Sequence, residues 1–323
     1  AYKDPLAASK AIIKSAENAQ INLCLLQTAY QRFSFFEELK PSQARFAHKD
    51  VDSFLSLVKE SLHLKNPTTD LGLAIHSVRT VPKEWFFAIN DFAKNNQLPL
   101  HIHASEQLKE VNDCLNYCGL SPIKLLAENH LLAPHTTLVH ATHLIDDDQE
   151  LINRLKPNLC ICPSTEKNLG DGMIHLKEIS PDIPICIGTD QHVRLDPFDE
   201  ARSLEEQERL RLNKRAVLAK NGSHLYEALH KTLSLGGLKS LYPFKTPSIL
   251  GQANLISIEL PPEHSWHGPK AALDAIMLSY NPAKLVNVIT NGHFVLQEKS
   301  LIGADKDYLI KNLKAFFKNM FSS

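Results

Sequence analysis

Six short β-rich runs, at 21–30, 70–78, 98–104, 136–142, 158–163 and 183–190, alternate with segments of helical periodicity, and this alternation leaves the chain few folds. Segment 84–95 sets Trp85, Ile89, Phe92 and Ala93 on one stripe, and 106–118 does the same with Val111, Cys114, Leu115 and Cys118. An amphipathic helix over 7–18 leads into the first run. Repeated strand–helix–strand units imply parallel strands, in either an open doubly wound sheet or a closed barrel. The polar residues decide between them: His76, His103 with Glu106, His140 with His143, and Asp190 with His192 fall at the C-terminal ends of different runs. That end is where a barrel builds its active site. No G-x-G-x-x-G follows the first run, which argues against dinucleotide binding. A closed barrel needs eight strands. The expectation is therefore an α/β chain forming a (β/α)8 TIM-type barrel, with strands 3 to 8 visible and the first two missing.

The pattern changes after about residue 245. Gly251-Gln252-Ala253-Asn254 leads into alternating Leu255, Ile256, Ile258 and Leu260, followed by Val286, Val288 and Ile289, the pair Asn291-Gly292, and Phe294-Val295. These read as short strands with a turn. A last amphipathic helix over 305–320 has Tyr308, Leu309, Leu313, Phe316 and Phe317 to bury. The expected division is a barrel over 1–245, incomplete at its N terminus, and the C-terminal part of a small β-sandwich domain plus the terminal helix over 246–323.

Bulk properties exclude several functions. The 323 residues carry 35 Lys+Arg against 36 Asp+Glu, a net charge of −1, so no overall field favours nucleic acid or an anionic membrane. A small-molecule substrate must be recognised locally. No apolar run approaches the ~20 residues that cross a bilayer, and Ala1 to Pro5 has no signal-peptide pattern, so the cytoplasm is expected. The six cysteines lack the spacing of a disulfide scaffold and read as reduced and structural. Cys160-Ile161-Cys162 has no second Cys pair to complete a zinc knuckle. The charged stretch 199–215 reads as a solvated helix with an i,i+4 pair, Glu205 with Arg209.

In His101-Ile102-His103-Ala104-Ser105-Glu106, strand alternation puts both histidines on one face. His103, nearer the mouth, is the better metal ligand, and His101 lies one layer deeper as a hydrogen-bonded core residue. Glu106, Val139-His140-Ala141-Thr142-His143 and Gly188-Thr189-Asp190-Gln191-His192 complete the constellation. Hydrolysis at neutral pH needs a metal-activated water, a base and an acid, and imidazoles with carboxylates on converging strand ends supply them. His143, His175 and His192 are either pocket-lining or solvent-facing loop residues. Asp171 is either part of the mouth or a turn former in Gly170-Asp171-Gly172.

The runs H-I-H-A-S-E-Q, V-H-A-T-H, C-P-S-T-E-K-N-L-G-D-G (162–172), G-T-D-Q-H and E-A-R-S-L-E-E-Q-E-R-L (200–210), with A-I-H-S-V-R (74–79), resemble in sequence and order those of formimidoylglutamate deiminases of the amidohydrolase superfamily. The resemblance implies one zinc ion with His103 as ligand and Asp190 as the carboxylate that also accepts the water's proton. It implies Glu106 as proton shuttle to the leaving nitrogen, His140 as the group orienting the attacked atom, and His76 and Arg79 as the grip on a glutamate substrate. An Arg fork pairs bidentately with a carboxylate. The implied reaction is hydrolysis of N-formimino-L-glutamate to N-formyl-L-glutamate and ammonia in histidine catabolism, by a homodimer. One departure stands out: the H-x-H of a first barrel strand has no counterpart before His103, where His48, His63 and His76 stand alone, so metal binding is expected to be impaired. Two rival expectations follow: a related deaminase of nucleobase-like substrates, or a catalytically inactive truncated remnant.

Overall fold

A computed structural model of the chain describes residues 4–219, 223–245, 253–260, 262, 268–279, 281–303 and 305–321. The first unit runs α1 (Ala7–Asn18), β1 (Leu23–Ala29), α2 (Val51–Ser61), β2 (Thr69–Ser77), α3 (Phe86–Asn95), β3 (Leu100–Ala104), α4 (Leu108–Cys118), α5 (Pro122–Glu128), β4 (Thr136–His140), α6 (Asp148–Leu155), β5 (Asn158–Ile161), α7 (Pro163–Leu169), β6 (Ile185–Ile187) and α8 (Pro197–Leu212). The six strands form one sheet in chain order, every neighbouring pair parallel. Each expected strand is present. Among the described residues the sheet stays open, with β1 and β6 at its edges, rather than closing on itself.

Helix starts follow from local chemistry. Asp50 accepts from the Ser53 amide at 2.8 Å to open α2, Ser121 caps α5 through the Lys124 amide at 3.0 Å, and Asp196 receives the amides of Phe198 and Asp199 at the head of α8. The helices press their apolar stripes on the outer face of the sheet. Phe54, Val58, Phe86 and Ile89 are fully buried against Leu73, Ile75, Leu100, Ile102, Leu138 and Leu159. Side chains of this size each contribute roughly 1.5–3 kcal/mol through burial.

A short π-helical turn, Thr232–Gly236, follows α9 (Leu225–Lys231) and leads into α10 (Gly237–Leu241). It lies so close to β6 that a Cβ on Gly236 would sit 1.9 Å from the Ile185 carbonyl oxygen. From α10, Ser240 bonds the Thr137 hydroxyl at 2.9 Å, and its carbonyl takes the His101 imidazole Nε2–H at 3.2 Å. His101 is thus a tethered lower-layer residue, held away from the mouth. Burial pushes its pKa down to about 4.

Three readings of the sequence need correction. The charged segment is helical as α8 but is not a solvated helix, because Glu200, Glu205 and Glu208 are buried. Their carboxylates accept backbone amides and guanidinium protons: Glu200 from Ser164 N, Glu205 from Val217 N, Leu218 N and Arg209, and Glu208 from Arg211. A buried carboxylate is tolerated when such donors meet it. Arg202 bonds Asp199 and the Leu278 carbonyl and so ties elements together. The second correction is α11 (Pro269–Ser279), a helix not foreseen, whose Met277 packs with Ala201, Leu225 and Leu229 on the side of the large unit.

The small antiparallel sheet has order β10-β9-β8-β7, with β7 (Leu255–Ile258), β8 (Leu285–Thr290), β9 (His293–Gln297) and β10 (Ser300–Leu301). Asn291 and Gly292, at φ 52° and 82°, make the tight turn between β8 and β9 as their residue types require. Gly251 and Gln252 lie outside the described residues. The third correction concerns α12 (Lys306–Phe321), where Tyr308, Leu309 and Leu313 remain more than half exposed instead of buried. The side chains of Phe316 and Phe317 lie outside the described residues. No described helix is long and apolar enough to cross a membrane.

Candidate metal centre

The mouth is assembled by backbone irregularities at the ends of β2, β3, β4 and β6. On β2 the register slips between Ile75 and Ser77, which pair with Ile102 and His103, so His76 forms a bulge. A bulge re-aims its residue. Here it brings the His76 ring to 5.4 Å from that of His103 and 4.9 Å from Tyr30, and presents the His76 carbonyl to His103 Nδ1 at 2.6 Å. A carbonyl only accepts, so Nδ1 carries the proton and Nε2 of the neutral ring keeps its lone pair. This arrangement orients a histidine for metal ligation. Burial, reinforced by the His140 charge, holds His103 below its ordinary pKa and therefore neutral.

On β4, His140 pairs in register with Ala104, one step beyond the Val139–His103 pair, so regular alternation would place it on the opposite face from His103. Its φ of 73°, followed by Ala141 at 52°, breaks the alternation and lays its ring over that of His103 at 5.5 Å. Asp190, at φ 44°, follows β6 and turns inward similarly. His140 is buried: Nδ1 meets Glu166 Oε1 at 3.2 Å, and Nε2 faces Glu106 Oε1 at 3.7 Å and Asp190 Oδ2 at 3.9 Å. Burial opposes its charge, but the Glu166 hydrogen bond and the surrounding carboxylates outweigh that and raise its pKa. Acceptors gathered on both sides of one imidazole favour a cation among them, whether proton or metal ion.

Glu106 follows β3 and is lifted above the usual carboxylate range, chiefly by burial. Its backbone amide donates to Glu110 Oε2 at 3.0 Å. Glu110 is 5% exposed, and burial pushes its carboxyl up to about 7. Arg79 lies half-buried just past β2. Among the described residues no carboxylate pairs with its guanidinium, and its charge helps push His76 down to about 3, after burial and the His103 charge. His76 is thus a neutral hydrogen-bonding group beside a cation that pairs with no carboxylate among the described residues.

The structure gathers His76, His103, Glu106, His140 and Asp190 at one mouth, with Arg79 near enough for its charge to act on His76, His103 and Glu106. It also adds residues that the pattern of strand ends did not single out. Glu166, 1% exposed, accepts both from His140 and from the Cys162 amide at 2.9 Å. Cys162, read above as a structural thiol, offers a sulfur that lies with a His140 nitrogen and an Asp190 oxygen in a group whose donor atoms are all within 4.8 Å of one another. The signals were a carboxylate four residues after Cys162 and another four after Glu106, the i,i+4 reach of a helix turn. Of the loop histidines, His143 is half-buried and its amide bonds the Ser105 carbonyl at 2.9 Å, whereas His175 and His192 are exposed. Asp171 is buried and its charge helps raise Glu106, while Gly172, at φ 104°, brings its loop against Thr142 and His143.

The chemistry of the donors fits a divalent ion: an imidazole anchored by a buried carboxylate, an aspartate at the rim and a thiol lie within 4.8 Å of one another, and the neutral His103 imidazole with its free Nε2 stacks on His140 beside that group of three. Residues 3–239 match the model of the Amidohydrolase family. The formimidoylglutamate deiminase of Pseudomonas aeruginosa is 32% identical over 263 residues, which cover 80% of this chain and 58% of that protein. A crystal structure of an amidohydrolase from Brucella melitensis superposes with a TM-score of 0.81 at 27% identity, covering 91% of this chain and 65% of that one. An adenosine deaminase from Xanthomonas campestris, solved with bound zinc, also gives 0.81, at 18% identity over 98% of this chain and 70% of that one. The chain thus spans little more than half the length of the deiminase it matches. With a parallel sheet of this order, donors converging at its C-terminal mouth and a family match over most of its length, the chain belongs to the amidohydrolase family.

Proposed function

We propose that this chain carries the catalytic mouth of a zinc-dependent deiminase that hydrolyses N-formimino-L-glutamate to N-formyl-L-glutamate and ammonia. The observation that carries the reading is Arg79, a cation with no carboxylate partner among the described residues, next to a neutral His76 on the rim of the hydrolytic cluster. An unpaired, half-buried guanidinium calls for an anionic substrate group, and a glutamate carboxylate fits its fork. The 32% identity to a formimidoylglutamate deiminase supports the same substrate class.

A divalent ion held by His103 and Asp190 would supply a water whose pKa falls to about 7. Arg79 and His76 bind the amino-acid end and fix the formimino carbon over the cluster. His140 orients and polarises the attacked group. The C–O bond forms from water, whose proton passes to Asp190, and the bond to the terminal nitrogen breaks. Glu106, its proton affinity raised by burial, delivers that proton and then the one released from the attacking oxygen as the formyl C=O forms, so the nitrogen gains two protons and leaves as ammonia. In this reading residues 1–245 form the catalytic unit and 246–323 an accessory one.

The test is ammonia release by the zinc-supplemented chain from N-formimino-L-glutamate, guanine and adenosine in parallel. Release from the formimino substrate alone is expected. Release from either purine and none from formiminoglutamate would overturn the assignment in favour of a nucleobase or nucleoside deaminase.

A further inference from the structure

Four residues form a square array on one face of the β5–β6 edge. Cys160 pairs in register with Cys186, and two residues further on Cys162 and Gly188 lie over the same face. Gly188 bonds back to the Ile161 carbonyl at 2.9 Å. A Cβ there would lie 3.1 Å from Cys162 Sγ and 3.3 Å from Cys160 Sγ, so the missing side chain makes room for the two sulfurs. The upper sulfur, that of Cys162, is the one whose donor atom groups with His140 and Asp190 within 4.8 Å.

Glu166 ties the backbone of Cys162 to the cluster. A single oxygen, Oε1, takes the Cys162 amide at 2.9 Å and His140 Nδ1 at 3.2 Å, so one buried carboxylate positions both the residue bearing the thiol and the imidazole. Such carboxylate support of a histidine is the usual outer layer of a metal site. Here it extends to a cysteine. Cys162 is 2% exposed, which shields the sulfur from solvent.

We propose that Cys162 Sγ is a direct donor to the ion held at this mouth, giving the site a mixed nitrogen, oxygen and sulfur ligand set and a preference for thiophilic divalent ions such as zinc, cadmium and cobalt over magnesium or manganese. This rests on the metal-hydrolase reading above. Binding replaces the S–H bond with an S–metal bond and releases the proton to solvent; no electrons are transferred. Softer ions gain from a sulfur donor and hard ions do not.

The test is cobalt loading of the purified full chain, followed by absorption spectroscopy and metal analysis. The expected result is one cobalt per chain, visible ligand-field bands, and a near-ultraviolet sulfur-to-cobalt charge-transfer band. In Cys162→Ser the ligand-field bands should persist and the charge-transfer band vanish, whereas Cys160→Ser should retain both. Cobalt bound stoichiometrically without the charge-transfer band overturns the sulfur donor and leaves the hydrolase reading intact. Failure of the wild-type chain to bind cobalt or zinc at all overturns both. The wild-type spectrum decides the matter even if a variant does not fold.

Discussion

Two adjacent glycines at the π-turn should respond to the same substitution with opposite sign. Gly236 and Gly237 both have helical backbone angles, φ near −60°, so alanine strains neither of them. In open space Gly→Ala in a helix stabilises by about 0.5–1 kcal/mol. Nothing lies within 4 Å of a Cβ on Gly237, so Gly237→Ala should gain that amount. A Cβ on Gly236 would meet the Ile185 oxygen at 1.9 Å and the Ile185 carbon at 2.7 Å. The obstacle is backbone of β6, which no rotamer change relieves, and the turn must back away by about 1 Å or more to reach an ordinary contact. Overpacking of this kind costs about 1–3 kcal/mol, occasionally more. The absence of a flexible partner puts Gly236→Ala at the upper end, roughly 3 kcal/mol. At about 2 °C per kcal/mol for a chain of this size, Gly236→Ala should melt about 6 °C lower and Gly237→Ala about 1–2 °C higher. Differential scanning calorimetry at fixed pH and metal content reads both. A Gly236→Ala melting point within about 1 °C of the parent, or shifts of the same sign in the two variants, would refute the tight seating of the turn on β6.

Three further expectations concern the mouth. Arg79→Ala should raise KM for N-formimino-L-glutamate by about 10–100-fold with a smaller change in kcat, the loss of a charge-assisted bond to bound substrate; steady-state kinetics would contradict this if kcat fell and KM did not. Glu110 has a folded pKa of about 7, raised from 4.5, so the folded state binds its proton more tightly than the unfolded one. The stability this provides is complete below about pH 4.5 and is lost as pH rises to 7, a decline of about 3 kcal/mol that Glu110→Gln should flatten in urea titrations; an unchanged slope would count against the buried carboxyl. Zinc at a hundredfold its Kd should add about 2.7 kcal/mol to the unfolding free energy, and chelation or Asp190→Asn should remove most of it, as thermal melts with and without chelator would record.

The sheet was legible because its strands are apolar runs that stop at a polar residue, and this ending also marked His103, Glu106, His140 and Asp190. Why His140 faces His103 was not legible. Alternation alone turns it away, and the reversal depends on left-handed backbone at His140 and Ala141, which neither residue type announces. Glu110 and Glu166 escaped notice because a carboxylate on a helix normally signals solvent, and only the folded chain brings their oxygens to the amides of Glu106 and Cys162. The acidic residues of α8 misled for the same reason: charge spacing reports what a helix can form by itself, not that the Ser164 amide in the first turn of α7 and the loop amides at 217 and 218 will come to meet it. α11 carries too even a spread of apolar residues to read as amphipathic, and it found its place through Met277 against α8 and α9.

The left-handed residues at Ser105, His140, Ala141, Asp190 and His192 have one more consequence. Each non-glycine residue in that region costs about 1–3 kcal/mol, and glycine or asparagine there would relieve much of it. Selection for heat resistance alone would therefore push His140, Asp190 and His192 toward residues with no imidazole or carboxylate to give. Variants of this chain that melt later through changes along the rim should turn over less, whereas gains made on the outer helices should leave the chemistry untouched.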